Sequence, residues 1–166
     1  MRLRELRLED APLMLEWMHD PSVVENLKAH FAEKTMEDCQ RFIYASQSAG
    51  QDLHFAIADD ADDTYLGTVS LKHIHDNSAE FAITVRKCAM GTGVSQQAMR
   101  SMLDYGFDRL GLTRIYWCVS PENQRAIRFY DHNGYPRSNA PPEAEGYTPA
   151  EKESYIWYTV SNHREC

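Results

Sequence analysis

The sequence lacks long apolar runs, paired cysteines and an excess of positive charge. No stretch approaches the roughly 18 apolar residues that a membrane-spanning helix needs, and the first nine residues alternate charge with leucine, unlike a secretory signal. The four cysteines are scattered without a CxxC pair, so we expect reduced thiols rather than a disulfide framework. These absences predict a cytoplasmic protein that binds no membrane.

Positive charge is scarce, because 17 lysines and arginines face 25 aspartates and glutamates, giving a formal net charge of −8. No global field therefore attracts nucleic acid, and a cationic partner fits better. A hydrophobic fraction of 43% in 166 residues is ordinary for a folded chain and permits one core. With no repeat, linker or low-complexity tract, residues 1–166 are predicted to form a single domain, as a monomer or a homodimer.

Hydrophobic spacing predicts a mixed α/β fold. Strands are expected at 3–8, 53–58, 65–73, 79–86, 114–119 and 154–160, and helices after an Asp10 cap, over 35–48, over 92–110 and after a Ser120 cap with Pro121 at its first position. Three of the strands form a meander, and a strand, helix, strand crossover follows it. This order is neither a run of βαβ repeats nor an all-β barrel.

The most informative stretch is the strand that runs into Gly91-Thr92-Gly93 and then into a helix. Two glycines let the backbone approach a ligand, and the first amides of a helix suit a phosphate. A dinucleotide fingerprint would need a small residue where Gln96 stands, and the Gly-Lys-Ser/Thr of a Walker A loop is absent. The bend therefore predicts a different phosphate-bearing ligand or, as the alternative, a turn that binds nothing.

A second informative stretch runs from Asn123 to Tyr135. Asn123 and Tyr130 are seven residues apart, so a helix places them on nearly one face, about 10 Å apart along the axis. That face could hold one extended ligand at two points. Alternatively, Asn123 belongs to the helix start and Tyr130 is a core aromatic residue.

Together these two stretches resemble the GNAT (Gcn5-related) N-acetyltransferase family. The family pattern (Arg/Gln)-x-x-Gly-x-(Gly/Ala) matches at Gly91 and Gly93, and Asn-x-x-Ala-Ile-x-x-Tyr matches at Asn123 and Tyr130. Residues 3–23 resemble the first strand and helix of the subgroup that contains ribosomal-protein and sugar-nucleotide N-acetyltransferases. One departure is Cys88, which stands at the Arg/Gln position. Because backbone amides hold the diphosphate, binding is expected to survive, and Arg86, Lys87 or a helix residue could supply positive charge there.

The resemblance implies a central, mostly antiparallel, twisted sheet of six to seven strands with about four helices. It also implies acetyl-CoA as cosubstrate, no metal, and a gap beside the strand that ends at Val85. The residues expected to bind acetyl-CoA are Ile83, Val85, Gly91, Thr92, Gly93, Val94, Ser95, Asn123 and Tyr130. Main-chain groups of Ile83 and Val85 would pair with the pantetheine arm, and amides from Gly91 to Ser95 would hold the diphosphate.

The resemblance also implies direct transfer of an acetyl group to a primary amine. Glu80 is the candidate base for an amine whose pKa is near ~10, and Tyr130 is the candidate acid for the departing thiolate. The Val85 amide is the candidate oxyanion donor. The alternative for Glu80 is a solvent-facing strand residue.

Several features are assigned no catalytic role. His73 and His75 could share a metal, yet no third ligand is signalled, and Cys88 has no activating histidine. The segment 136–153 is expected to be irregular and to border the acceptor pocket, where its acidic residues could attract an amine. The acceptor is expected to be a small molecule, an amino sugar or a protein N-terminus, and the alternative function is a non-catalytic acyl-CoA sensor.

Overall fold

The structure is a computed structural model that describes residues 1–48 and 50–162. The strands are β1 (Arg2–Arg4), β2 (Leu53–Ala58), β3 (Tyr65–His75), β4 (Ser78–Val85), β5 (Arg114–Val119), β6 (Arg137–Ser138) and β7 (Ile156–Ser161). The helices are α1 (Ala11–Met18), α2 (Pro21–Val24), α3 (Met36–Ser46), α4 (Val94–Asp108), α5 (Gln124–His132) and α6 (Pro149–Ser154). Short 3-10 turns cover Leu8–Asp10, Phe31–Glu33 and Lys87–Ala89.

One sheet of seven strands runs in the order β1-β2-β3-β4-β5-β7-β6, and every neighbouring pair is antiparallel except β4 with β5. This confirms the predicted fold class, including the meander and the crossover. Four helices have eight or more residues, and α2 and α6 are short additions within the described residues. None of the helices in 1–48 and 50–162 is both long and apolar enough to cross a bilayer.

Both faces of the sheet are buried. On one face, α4 and α5 contribute Met99, Met102, Ile127 and others to a core that includes Leu71 and Ile115. On the other face, α1 and α3 contribute Met14, Trp17 and Ile43 to a second core. A third cluster, built from Tyr116, Ala144 and Trp157, covers the sheet near β5 and β7. Different helices thus cover the two faces of the sheet, and each face can carry its own ligand surface.

The ends of several elements differ from the prediction. The first strand is shorter than expected, because the Asp10 carboxylate is buried and accepts hydrogen bonds from the Arg4 guanidinium at 2.8 and 2.9 Å and from the Arg7 amide at 2.9 Å. Helix α1 begins directly after Asp10, as predicted, but the Asp10 carboxylate makes no capping hydrogen bond to α1 and fixes the preceding turn instead. The expected Ser120 cap is wrong, because α5 begins at Gln124 and Asn123 is its cap.

The segment 136–153 was expected to be irregular, but it contains β6 and most of α6. Thr148 and Glu151 form a capping box at the start of α6, with the Thr148 hydroxyl accepting from the Glu151 amide at 3.1 Å. Glu143 forms an ion pair with Arg114, and Glu151 lies 3.2 Å from the Lys28 ammonium. Two of the acidic groups expected to attract an amine are thus already paired with basic residues.

Strands β4 and β5 separate soon after they meet. They pair in parallel at only three positions, the last of which joins Glu80 to Tyr116. Strand β4 continues for five more residues and β5 for three, with no pairing between them. The gap predicted beside the end of β4 is therefore present, and it opens toward α4 and α5.

Candidate functional site

The gap between β4 and β5 leads into a cavity of about 610 Å³, which we call the first cavity. Seven of the predicted cofactor residues line it: Ile83, Val85, Gly91, Gly93, Ser95, Asn123 and Tyr130. The two sequence stretches that carried the family resemblance therefore meet at one place. Thr92 and Val94 are not among the residues that line it, since the Thr92 hydroxyl donates to Ala89 O at 2.5 Å and Val94 packs on the core.

The main chain of β4 presents free edge groups to the first cavity. The Arg86 amide donates to Leu66 O at 2.8 Å, which extends the β3–β4 ladder by one hydrogen-bonded pair. Because hydrogen-bonded pairs alternate in an antiparallel ladder, the main-chain groups of Thr84 point to β3 and those of Ile83 and Val85 point into the gap. An extended ligand arm can therefore pair with β4 as an additional strand would.

The glycine bend at the start of α4 adopts backbone angles that favour glycine. Gly91 has φ of 75° and Gly93 has φ of 87°, both in the left-handed region. The first hydrogen bond of α4 joins the Gln97 amide to the Gly93 carbonyl at 3.2 Å. The amides just before Gln97 lie in the first turn of the helix, where no carbonyl of the helix can accept from them. This turn borders the first cavity at Ser95 and Gln96 and is suited to an anionic group.

Helix α5 forms the opposite wall. Asn123 lines the first cavity and also caps the helix, with its Oδ1 accepting from the Ala126 amide at 3.2 Å. Tyr130 also lines the cavity while its ring packs against Trp117 and Tyr158 at centroid distances of 5.4 and 5.1 Å. Asn123 is therefore the helix cap and Tyr130 a core aromatic residue, as the structural alternative predicted, and both also face the cavity. Burial raises the pKa of Tyr130, with smaller contributions from Tyr158 and Cys118, so its hydroxyl stays protonated at neutral pH.

Arg125 was missed by the sequence reasoning. It lines the first cavity, and its guanidinium donates to Ser22 O at 2.9 Å and to the sulfur of Met90, which joins α5 to α2. Arg86 and Lys87, the two named candidates for positive charge beside Cys88, do not line the cavity, and the Arg86 guanidinium is bound to Glu16 at 2.9 and 3.2 Å. The signal for Arg125 was its position two residues after Asn123, inside the second motif.

Glu80 is buried, so the alternative of a solvent-facing strand residue is wrong. Its side chain is 5% exposed, and its Oε1 accepts a hydrogen bond from the Tyr147 hydroxyl at 2.7 Å. Its Oε2 has no hydrogen-bond partner, while the Lys72 ammonium is 3.9 Å from Oε1 and the His73 ring nitrogen is 3.9 Å from Oε2. The carboxylate lines neither cavity, and it lies at the point where β4 and β5 separate.

A second cavity of about 310 Å³ lies on the other face of the sheet, under α1 and α3. Ile83 and Thr84 line both cavities, so the two spaces meet at the end of β4. Lys72 lines the second cavity and links it to Glu80. Apart from Ile83, no residue that lines the second cavity had been assigned a role from the sequence.

Comparison with known proteins agrees with this geometry. The sequence model of the family described as the Acetyltransferase (GNAT) domain matches residues 1–136. An N-acetyltransferase of Bacillus licheniformis, p20, is 29% identical over 132 residues, which are 77% of this chain and 74% of that protein. Spermidine N(1)-acetyltransferase of Escherichia coli K12 is 36% identical over 67 residues, 40% of this chain and 36% of that protein.

A solved structure has the same fold. The spermidine N-acetyltransferase of Vibrio cholerae in complex with CoA and spermine superposes with a TM-score of 0.78 at 20% identity, over 96% of this chain and 94% of that chain. The chain belongs to the GNAT acetyltransferase family. It is an N-acetyltransferase that uses acetyl-CoA, and the residues around the first cavity fit that cosubstrate through main-chain groups, a helix N-terminus and Arg125.

Proposed function

We propose that the protein transfers the acetyl group of acetyl-CoA directly to a primary amine that enters through the second cavity. The observation that carries this proposal is the early separation of β4 from β5, since it opens the first cavity beside Ile83 and joins it to the second. Acetyl-CoA supplies the activated acetyl group; the amide C–N bond forms, the thioester C–S bond breaks, and coenzyme A leaves as a free thiol. The arrangement lets donor and acceptor approach from opposite faces of the sheet.

The first cavity would hold the cosubstrate through the backbone. Ile83 and Val85 would pair with the pantetheine arm, while the amides at Gly93 and Ser95 and the Arg125 guanidinium would face the diphosphate. Asn123 caps α5 through Oδ1, so its side-chain amide nitrogen would be available to hydrogen-bond the cosubstrate. Arg125 would then supply the positive charge that Cys88 cannot provide at the Arg/Gln position.

Three groups would carry the chemistry. The Val85 amide would donate to the developing oxyanion, and Tyr130 would give its proton to the departing sulfur. Glu80 would accept the proton of the amine through water at the Lys72 end of the second cavity, because the carboxylate itself lines neither cavity. A proton thus moves from the amine to Glu80, and another moves from Tyr130 to the thiolate.

The test combines binding and turnover. Acetyl-CoA is expected to raise the melting temperature, and free thiol should appear when a suitable primary amine is added. Glu80→Gln should keep the rise in melting temperature and lose most thiol release, since the amide cannot accept the proton. Full thiol release by Glu80→Gln would remove this residue as the base. A chain that acetyl-CoA does not stabilise would contradict the assignment of the first cavity.

A further inference from the structure

The walls of the second cavity are mainly aromatic and aliphatic. Met14, Trp17, Met18, Phe31 and Phe42 line it. The indole nitrogen of Trp17 donates to the Tyr65 hydroxyl at 2.9 Å, so its only donor is already used, and its ring packs edge to face on Phe31 at 5.0 Å. These surfaces favour an apolar ligand body, because burying it removes apolar surface from water on both sides.

The charges on this cavity are mainly positive. Lys34 and Lys72 line it together with one carboxylate, that of Asp38. Both oxygens of Asp38 accept hydrogen bonds, from the Thr35 amide at 2.8 Å and from the Arg41 guanidinium at 2.6 Å. The Thr35 bond and then the Arg41 bond lower the pKa of Asp38 to about 2, so the carboxylate is ionised but already paired.

The polar groups on the sheet side of the cavity are also engaged. The Nδ1 atom of His54 lies 2.6 Å from the Ser70 hydroxyl, and burial lowers the pKa of His54, which keeps the ring neutral at pH 7. Glu80 stands behind Lys72, whose ammonium is 3.9 Å from its Oε1. The reacting amine therefore reaches the Glu80 carboxylate only through water at the Lys72 end, and a second or third ammonium would meet two lysines instead.

We propose that the acceptor is a small monoamine with an apolar, aromatic or branched body, and that polyamines are poor acceptors. This inference rests on the proposed function and narrows its substrate class. The amine nitrogen lies toward Ile83 and Thr84, where the two cavities meet, and the apolar body lies between Trp17 and Phe42. A polyamine such as spermidine carries further ammonium groups that must be desolvated in this space without a free carboxylate.

The test compares four amines with acetyl-CoA in a thiol-release assay: 2-phenylethylamine, isoamylamine, ethanolamine and spermidine. The two apolar amines should exceed ethanolamine and spermidine in kcat/KM by about tenfold or more, as expected when an apolar pocket gains or loses several methylene groups. Spermidine as the best acceptor would overturn the inference and leave the proposed function standing. No release with any of the four, with acetyl-CoA still bound, would also overturn it, whereas loss of acetyl-CoA binding would overturn the proposed function itself.

A charge reversal sharpens the test. Lys34→Glu adds a carboxylate to the cavity and should raise the ratio of spermidine to 2-phenylethylamine turnover, on the order of tenfold at low salt. Arg109→Glu makes the same charge change at an exposed residue that lines neither cavity and should leave the ratio unchanged. If Lys34→Glu and the wild type show the same ratio of spermidine to 2-phenylethylamine turnover, positive charge in the cavity does not exclude polyamines.

Discussion

The two cavities meet at the end of β4, and they differ in whether main-chain groups or side chains form their walls. The first cavity uses main-chain groups of Ile83 and Val85 and the backbone of the glycine bend, with few charged side chains. The second uses side chains from α1, α3, β2 and β3 and the turn at Phe31. A cavity made of backbone should tolerate most side-chain changes and fail when the strand moves. A cavity made of side chains should change its ligand when one of them changes.

The largest expected effect concerns a side chain in the backbone-built cavity. Tyr130→Phe should lower kcat by roughly 10²-fold or more, because the departing thiolate loses its proton donor, while acetyl-CoA affinity changes little. The measurement is steady-state turnover beside a direct titration with acetyl-CoA. Tyr105→Phe is the control, since that ring packs on Phe55 at 5.5 Å and lines neither cavity. Equal kcat in wild type and Tyr130→Phe would remove Tyr130 as the acid.

A displacement of the β4 backbone should weaken acetyl-CoA binding at the first cavity, although the substituted residue does not itself line that cavity. A Cβ at Gly67 would lie 2.5 Å from Thr84 O and 2.9 Å from the Val85 Cα, so Gly67→Ala must displace the end of β4. We expect a loss of stability of about 1–3 kcal/mol and weaker acetyl-CoA binding. Urea unfolding and acetyl-CoA titration measure the two effects.

Gly106→Ala is the matched control for that change. Its Cβ would meet Ile115 Cδ1 at 2.8 Å in the core beneath α4, away from both cavities. Stability should fall less, because alanine gains about 1 kcal/mol of helix propensity over glycine. Acetyl-CoA affinity should stay at the wild-type value. A Gly67→Ala protein that binds acetyl-CoA normally would break the link between the position of β4 and the cofactor.

A smaller effect is expected from the residue that holds Glu80. Tyr147→Phe removes the hydrogen bond to Oε1 and leaves a buried carboxylate with two oxygens to satisfy. The value of kcat should fall about tenfold, since the proton acceptor is less well oriented, while KM for acetyl-CoA stays constant. Tyr155→Phe alters a ring 6.3 Å from that of Tyr147 and should leave kcat unchanged. A parallel change in KM for acetyl-CoA would indicate a general structural effect instead.

The smallest expected effect is a pH dependence of the free energy of unfolding, to which His54 in the second cavity contributes. Burial lowers the pKa of His54, so between this lowered pKa and the ordinary value of about 6.5 the unfolded chain binds more protons than the folded one. Stability should therefore fall as pH decreases below about 6.5. Melting curves from pH 7.5 to 5.5 should show a shallower decline for His54→Gln than for wild type. Equal slopes would exclude His54 as a contributor.

The sequence predicted seven of the residues that line the first cavity because they lie in two continuous stretches. A glycine bend at a helix start and an Asn-to-Tyr spacing of seven residues are local patterns, and the fold then brought them to the same gap. Local patterns also predicted the bounds of β2 and β5 correctly. The error at Ser120 arose because a later residue, Asn123, caps α5. The Asp10 carboxylate precedes α1 as predicted but bonds to Arg4 and Arg7 instead of the helix, which local propensity does not show.

The second cavity could not be predicted in the same way. Trp17 and Phe42 come from different helices, and His54 and Lys72 come from different strands, so their meeting depends on tertiary packing alone. The burial of Glu80 similarly depends on Tyr147, which is 67 residues away in the segment expected to be irregular. Arg125 lay inside a recognised motif, but only the structure shows that it reaches across to Ser22.

Hydrogen–deuterium exchange with and without acetyl-CoA tests the central claim most directly. If the gap beside β4 holds the cosubstrate, the amides of Ile83 and Val85 and those at the start of α4 should exchange more slowly in its presence. The amide of Thr84, which faces β3, should be protected in both states and serves as the internal control. Unchanged exchange at Ile83 and Val85, with protection appearing elsewhere, would contradict the account.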